Sequence, residues 1–282
     1  MTTRPRNLID PYQPTPARLH SVFLGGKDHY EPDDALAKNL SSSTIRPAIT
    51  ESRRFTRRAV EYLSDHHGVS QFVELGCGLP HAPNIHNFAE QRSDTARTLY
   101  VDSDILVAAH GRATLHEPPR YFTDTDITDT DAIMGDIAAV MDMTAPLAVC
   151  MSGTAEWISD APAVLAALTA WFPVGTWLVL THVTDDFYPD HIQAAAETLR
   201  RAGIPYHPRG RDEIAAMLAA YQLLAPGLIA PHRWPPTPGC DGDNGDSEIG
   251  AGDGIRRLLA TPPRHRAAWD LSAYAAIGQR LP

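Results

Sequence analysis

Cysteine is scarce in this chain. Cys77, Cys150 and Cys240 are odd in number, widely spaced, and form no CxxC pair. Neither a disulfide framework nor a zinc knuckle is therefore expected. No run of about 18 apolar residues occurs, so no helix is expected to span a membrane. The first residues, Met1 to Arg6, lead into polar, Pro-rich sequence without an apolar core. A signal peptide is not expected, and a cytoplasmic location is. Positive charge is also short: Lys plus Arg is 24 against 34 for Asp plus Glu, a net −10. Phosphate backbones demand a basic footprint, which argues against a nucleic-acid partner. Lys27 lacks the GxxxxGK[ST] frame of a phosphate loop. Neither a nucleophile elbow with Ser/His/Asp order nor an HExxH pair is present, which disfavours hydrolases and zincins. No internal repeat is found.

What is present suits a globular domain: 282 residues, 43% hydrophobic and 21% charged, enough to bury a large core. The chain is organised around Gln71-Phe-Val-Glu74-Leu-Gly76-Cys-Gly78-Leu-Pro80. This stretch is an apolar strand, a carboxylate near its end, and a two-glycine turn that a ligand can approach closely. It resembles the first nucleotide-binding motif of class I S-adenosylmethionine (SAM) methyltransferases. A dinucleotide fold would also place a glycine turn here. That fold wants a third glycine where His81 stands, and Pro80 and Pro83 restrict the turn. Glu74 decides between the two, because a carboxylate repels a pyrophosphate and attracts the ammonium and sulfonium of SAM.

The flanking sequence supports an α/β reading. Pro-rich residues 1–16 read as an extended arm, Arg18–Leu24 as a helical turn closed by Gly25-Gly26, and Asp33–Leu40 as a short helix. Residues 51–66 form a stronger helix, whose Arg53, Arg54, Arg57 and Arg58 read as a solvated or ion-paired face. From residue 71 strands and helices alternate: strands at Phe72–Leu75, Arg97–Val101, Tyr121–Thr123, Ala145–Met151 and Gly175–Leu180. Helices are expected at Asn84–Gln91, Ile105–Arg112, Asp129–Met141, Ala161–Trp171, Asp190–Ala202 and Arg211–Tyr221. Leu223–Ile229 and Tyr274–Ile277 read as antiparallel strands. The expectation is a doubly wound, mostly parallel, seven-stranded sheet of Rossmann-like, class I methyltransferase type. Residues 1–50 are set apart as an N-terminal segment, and residues 51–282 as the main domain. Within it, residues 235–254 read as a flexible insertion whose Asp241–Asp246 run fails the EF-hand pattern, so no metal is expected.

A ligand in such a sheet sits beyond the carboxyl ends of the strands, at the switch point. Glu74, Gly76 and Gly78 end the first strand. Asp102 ends the second, about 20 residues past the turn, where a carboxylate bridges ribose hydroxyls. Ser103 lies beside it, and Asp104 reads as a helix cap. After the third strand, Asp126 and the Ile127 N–H can serve an adenine ring, and Asp129 can cap the next helix. Ser152 leaves room beside the sulfonium, and Trp157 is core, cofactor wall or both.

Several blocks extend the resemblance over nearly the whole chain in order. They are Arg18…Leu24-Gly25-Gly26-Lys27-Asp28, Arg57-Arg58-Ala59-Val60, Gly76-Cys77-Gly78-Leu79-Pro80, Tyr100-Val101-Asp102-Ser103-Asp104, Asp126-Ile127-Thr128-Asp129, Leu178-Val179-Leu180-Thr181-His182 and Pro226-Gly227-Leu228. Together they resemble the actinobacterial family of SAM-dependent methyltransferases first catalogued as a domain of unknown function. The resemblance implies SAM as cofactor and makes residues 1–50 an arm and helical lid that brings Lys27 and Arg18 to the SAM carboxylate. The chain departs from the pattern with Glu74 for Asp, His29 for Asn, and Glu156 where a His is usual. Candidate general bases are His29, Glu156, His182 and Asp185. His182 reads equally as a satisfied structural histidine. The leading expectation is methyl transfer to a small-molecule acceptor in secondary metabolism. Aminocarboxypropyl transfer or cyclisation of SAM, a non-catalytic SAM-binding protein and a dinucleotide oxidoreductase are the alternatives.

Overall fold

Apolar runs become the strands of one sheet, each buried according to its place in it. A computed structural model of the chain describes residues 9–40, 44–234 and 271–282. The run Leu147-Ala-Val-Cys-Met is buried throughout, as befits a central strand covered on both faces, and forms β4 (Leu147–Ser152). Around it stand β1 (Gln71–Leu75), β2 (Arg97–Val101), β3 (Arg120–Thr123), β5 (Trp177–Val183), β6 (Tyr221–Leu223) and β7 (Ala273–Arg280). The order is β3-β2-β1-β4-β5-β7-β6. Neighbours from β3 through β5 are parallel, while β7 runs antiparallel to both β5 and β6. Chain order reverses between β1 and β4, which places the switch point there.

Alternation along the strands divides the core. Leu178 and Leu180 of β5 face one layer with Ile133, Leu165 and Ile214, from α6 (Thr130–Val140), α7 (Ala161–Trp171) and α9 (Arg211–Met217). Trp177 and Val179 face the other, with Phe55, Ile85 and Val107 from α3 (Ile45–His67), α4 (Ile85–Glu90) and α5 (Ile105–Thr114). A third cluster joins α1 (Pro16–Leu24), α2 (Glu31–Asn39) and α8 (Pro189–Arg201) to the first turns of α3 and to Val183.

Local chemistry sets the boundaries. Thr15 accepts the Arg18 N–H to start α1, and Gly25, at φ 80°, ends it in the left-handed conformation. Asp104 caps α5 by accepting from the Leu106 and Val107 N–H groups, and Asp129 caps α6 through Ala132.

Four expectations need correction. The helix expected at 51–66 begins at Ile45, because Ile45, Ala48 and Ile49 carry its buried stripe back into the third cluster. The boundary expected between residues 50 and 51 therefore falls inside α3. Strand β5 continues through Thr181, His182 and Val183, which pair with Ala275, Tyr274 and Ala273. His182 is thus within a strand rather than after it. Finally, β6 ends at Leu223, where a strand was expected to begin; of the rest, Ile229 makes an isolated bridge to Ala275. The insertion expected at 235–254 lies outside the described residues.

Candidate functional site

The carboxyl ends of β1, β2 and β4, with the loop after β3, open on one cleft that α1 overlies. Its outer part, about 330 Å³, is bounded by Gly76, Gly78, Asp102, Ser103, Asp126, Ile127 and Trp157. Its inner part is a narrow recess bounded by Arg53, Glu74, Cys77 and Ser152. Ala17 and His20 of α1 and Gly153 belong to both. Another hollow, about 300 Å³, is lined by His67, Pro146 and Trp177 at the opposite end of β4 and β5. Ligands of doubly wound sheets bind at the carboxyl end, so the cleft is the candidate.

The turn after β1 is built for close approach. Gly76 and Gly78 have φ 70° and 65°. A Cβ on Gly76 would run into the Thr154 side chain, and Thr154 Oγ1 itself donates to the Leu75 carbonyl at 3.0 Å. Glycine at 76 therefore satisfies both backbone and packing.

Asp102 organises the outer part. Its Oδ2 accepts the Gly78 N–H at 2.8 Å and its Oδ1 the Asp104 N–H at 2.9 Å. Burial pushes its pKa up to about 6, while those two donors hold the rise back. The residue keeps some surface on the cleft, and hydroxyl donors arriving there would favour the ionised form further. Asp126 is exposed, and its Oδ1 accepts from both the N–H and the hydroxyl of Thr128 at 2.9 and 2.8 Å. Its other oxygen is left for a ligand.

The inner recess holds a loosely paired acid and base. Arg53 Nη1 lies 3.9 Å from Glu74 Oε1, far beyond the roughly 2.7–2.9 Å of a charge-assisted hydrogen bond. Arg53 Nη2 donates to the His81 carbonyl and to Asn84 Oδ1 at 3.0 and 2.9 Å, and its Nε is buried without a partner. Glu74 is 4% exposed, and burial raises its pKa against the pull of Arg53 and Arg57. Arg57 is itself lowered to about 10, chiefly by burial. The recess thus offers a cation and an anion, each with unused capacity.

Glu74, Gly76, Gly78, Asp102, Ser103, Asp126, Ile127 and Ser152 are brought together; other expected residues lie elsewhere. Arg18 is 2% exposed and faces away, with Nε 3.1 Å from Asp33 Oδ2. Its remaining nitrogens donate to the Asp10 and Gln13 carbonyls, and it stacks on Tyr30, so it braces the lid instead of reaching the cleft. Lys27 is exposed in the loop beyond α1. His29 Nε2 sits 3.3 Å from Asp34 Oδ1, outside the cleft. His182 is fully buried and structural: its Nδ1 bonds the Val183 carbonyl at 2.7 Å and its Nε2 faces Arg209 Nη1 at 2.9 Å. An arginine can only donate, so the neutral imidazole carries its proton on Nδ1. Burial lowers its pKa to about 4. Glu156 is buried behind Gly153, and neither carboxylate oxygen has a hydrogen-bond partner among the described residues.

Arg53 and His20 are the residues that sequence reasoning missed. The four arginines of α3 divide by helical face. Arg54 and Arg58 pair with Glu51 at 3.5 and 2.9 Å, whereas Arg53 and Arg57 turn towards the loop after β1. Their spacing of four residues was the available signal. His20 carried no signal beyond its place in the lid segment. Among the described residues no group of three His, Cys, Asp or Glu is placed to hold a metal ion. No helix among them is long and apolar enough to cross a membrane.

Sheet order, switch-point cleft and glycine turn define a class I SAM-dependent methyltransferase fold. The model of the S-adenosyl methyltransferase family matches residues 2–259, and the chain belongs to that family. SAM is its cofactor. A DUF574 family protein from Streptomyces avermitilis is similar at 24% identity, over 95% of this chain and 98% of that one, with a TM-score of 0.80. A candidate methyltransferase from Thermobifida fusca is 27% identical over 96% of both chains, with a TM-score of 0.79. The plantazolicin methyltransferase BpumL, solved with SAH, shares the fold at 11% identity and a TM-score of 0.52, over 94% of this chain and 96% of its own. No curated protein matches the chain.

Proposed function

We propose that the protein transfers the methyl group of SAM to a small-molecule acceptor in secondary metabolism, in the cytoplasm, with α1 as part of an N-terminal lid. The observation that carries the site assignment is the unfilled pair of Arg53 and Glu74 beside the Gly76–Gly78 turn. A zwitterionic amino-acid group fits between them: Glu74 takes the ammonium and Arg53, with its orphaned Nε, the carboxylate. Asp102 takes the ribose diol, with Ser103 beside it. Asp126 and the Ile127 N–H take the adenine, and Gly76 and Gly78 let the backbone approach. Ser152 borders the recess near the reacting end. A pyrophosphate would meet Glu74, Asp102 and Asp126 in the same cleft and be repelled.

Bound SAM supplies a methyl group already activated on sulfonium, so the chain contributes chiefly orientation and exclusion of water. The test is to incubate the protein with SAM and a panel of acceptors and to identify the sulfur product. S-adenosylhomocysteine supports this reading. Methylthioadenosine would replace it with transfer or cyclisation of the aminocarboxypropyl arm, and no product with tight SAM binding would leave a binding protein.

A further inference from the structure

Around Gly153, where β4 gives way to the cleft, several polar groups are buried without hydrogen-bond partners among the described residues. They are both carboxylate oxygens of Glu156, the Tyr206 hydroxyl and His20 Nε2. Glu156 is 0% exposed and Tyr206 8%. A Cβ on Gly153 would lie 3.3 Å from His20 Cε1 and 3.6 Å from Glu156 Oε1, so imidazole and carboxylate converge on that point of the wall. Trp157 lines the same wall. Its ring stands 5.5 Å from that of His20 and 4.7 Å from that of Tyr206.

A buried carboxylate needs hydrogen bonds and a counter-charge. The backbone N–H groups of Glu156 and Val183 lean towards this one without reaching hydrogen-bond geometry. The nearby cation, Arg209, is otherwise engaged. Its guanidinium donates to the carbonyls of Ala155, Ile158, Ser159 and His207 and to His182 Nε2. Aromatic rings form the remaining wall, and these suit a cation. The missing partner is therefore positively charged and carries N–H donors, and its approach is past Gly153, which borders the cleft and whose lack of a Cβ leaves space in front of Glu156 Oε1.

We propose that Glu156 is the acceptor-binding base of this enzyme, holding the ammonium form of an amine substrate within a wall of His20, Trp157 and Tyr206. The proposal rests on the methyltransferase reading above. In the step, an ammonium N–H bond breaks, its electron pair stays on nitrogen, and the proton passes to a Glu156 oxygen. The freed lone pair then forms the N–CH3 bond as the C–S pair departs onto sulfur, leaving S-adenosylhomocysteine and an N-methylated ammonium. An alcohol would supply a donor without the charge and is the poorer match.

The test is a calorimetric titration of the protein loaded with S-adenosylhomocysteine at pH 8. Methylammonium, butylammonium and benzylammonium chlorides are compared with the matching alcohols, in the native protein and in Glu156→Gln. At least one amine binds saturably and at least tenfold tighter than its alcohol. Glu156→Gln weakens that amine at least tenfold while S-adenosylhomocysteine affinity stays within twofold. Should that variant lose S-adenosylhomocysteine binding, Tyr206→Phe carries the test and weakens the amine severalfold. No saturable amine, or an amine affinity unchanged in the variant that carries the test, overturns the proposal. Failure of the native protein to bind S-adenosylhomocysteine at all would instead overturn the cofactor reading.

Discussion

The two sides of the switch point differ in how their polar groups are treated. On the β1–β2 side, the central carboxylate, Asp102, is fixed by two backbone donors at 2.8 and 2.9 Å. On the β4–β5 side, Glu156 lies deeper, and among the described residues no donor makes a hydrogen bond of good geometry to its carboxylate. A group held by the backbone is ready for one ligand in one position, which suits a cofactor shared across a fold class. A buried group without a partner among the described residues can accept one from a bound molecule, as the amine proposal has it. The contrast teaches where common and individual chemistry divide in this molecule.

The largest effect expected from this contrast is pH-dependent. Burial raises Glu156 from 4.5 to about 7, so the folded protein holds its proton more tightly than the unfolded chain does. Stability from this group is full below about pH 4.5 and is lost as pH rises through 7. The loss amounts to about 3 kcal/mol by pH 8. Glu156→Gln removes this dependence. Thermal melts should show the variant gaining on the native protein at pH 8 and the gap closing near pH 4.5. Because His20 and His182, both lowered to about 4, face the same region and titrate with the opposite slope, the difference between the two proteins is the quantity to read. An equal gap at both pH values would break the contrast.

Next in size, Asp102→Ala should weaken S-adenosylhomocysteine by roughly 1.5–3 kcal/mol, as hydrogen bonds to a charged group are lost. Adenosine should weaken with it. Arg53→Met should weaken S-adenosylhomocysteine by roughly 1.5–3 kcal/mol at most. It should leave adenosine unchanged, because only the amino-acid end reaches the recess. Parallel calorimetry with both ligands separates the two variants, and a loss of adenosine in Arg53→Met would move that residue out of its role. Lys27→Ala is the smallest case: an exposed lysine should change stability by under about 0.5 kcal/mol in denaturant titration.

Much of the cofactor side was legible because it is local in sequence. Strand, carboxylate and glycine turn occupy one segment, and β2 with Asp102 follows at a spacing set by the crossover. The topology followed from apolar runs such as Leu147–Met151. What stayed hidden depends on distant packing. Arg18 looked available for a carboxylate until α2 brought Asp33 against it. Arg53 looked like one of four surface charges, although only Arg54 and Arg58 meet Glu51. His182 moved into the core because β7, far along the chain, extends β5 by three pairs. Glu156 was visible as a departure from the family pattern, but its lack of partners is a property of the folded interior alone.

The central claim is that this cleft holds SAM through Asp102. Calorimetric titration of the native protein and Asp102→Ala with S-adenosylhomocysteine and with NAD tests it most directly. The account predicts saturable S-adenosylhomocysteine binding, weakened about 10- to 150-fold in the variant, and no NAD binding. Tight NAD binding with none for S-adenosylhomocysteine, or equal S-adenosylhomocysteine affinity in both proteins, would contradict it.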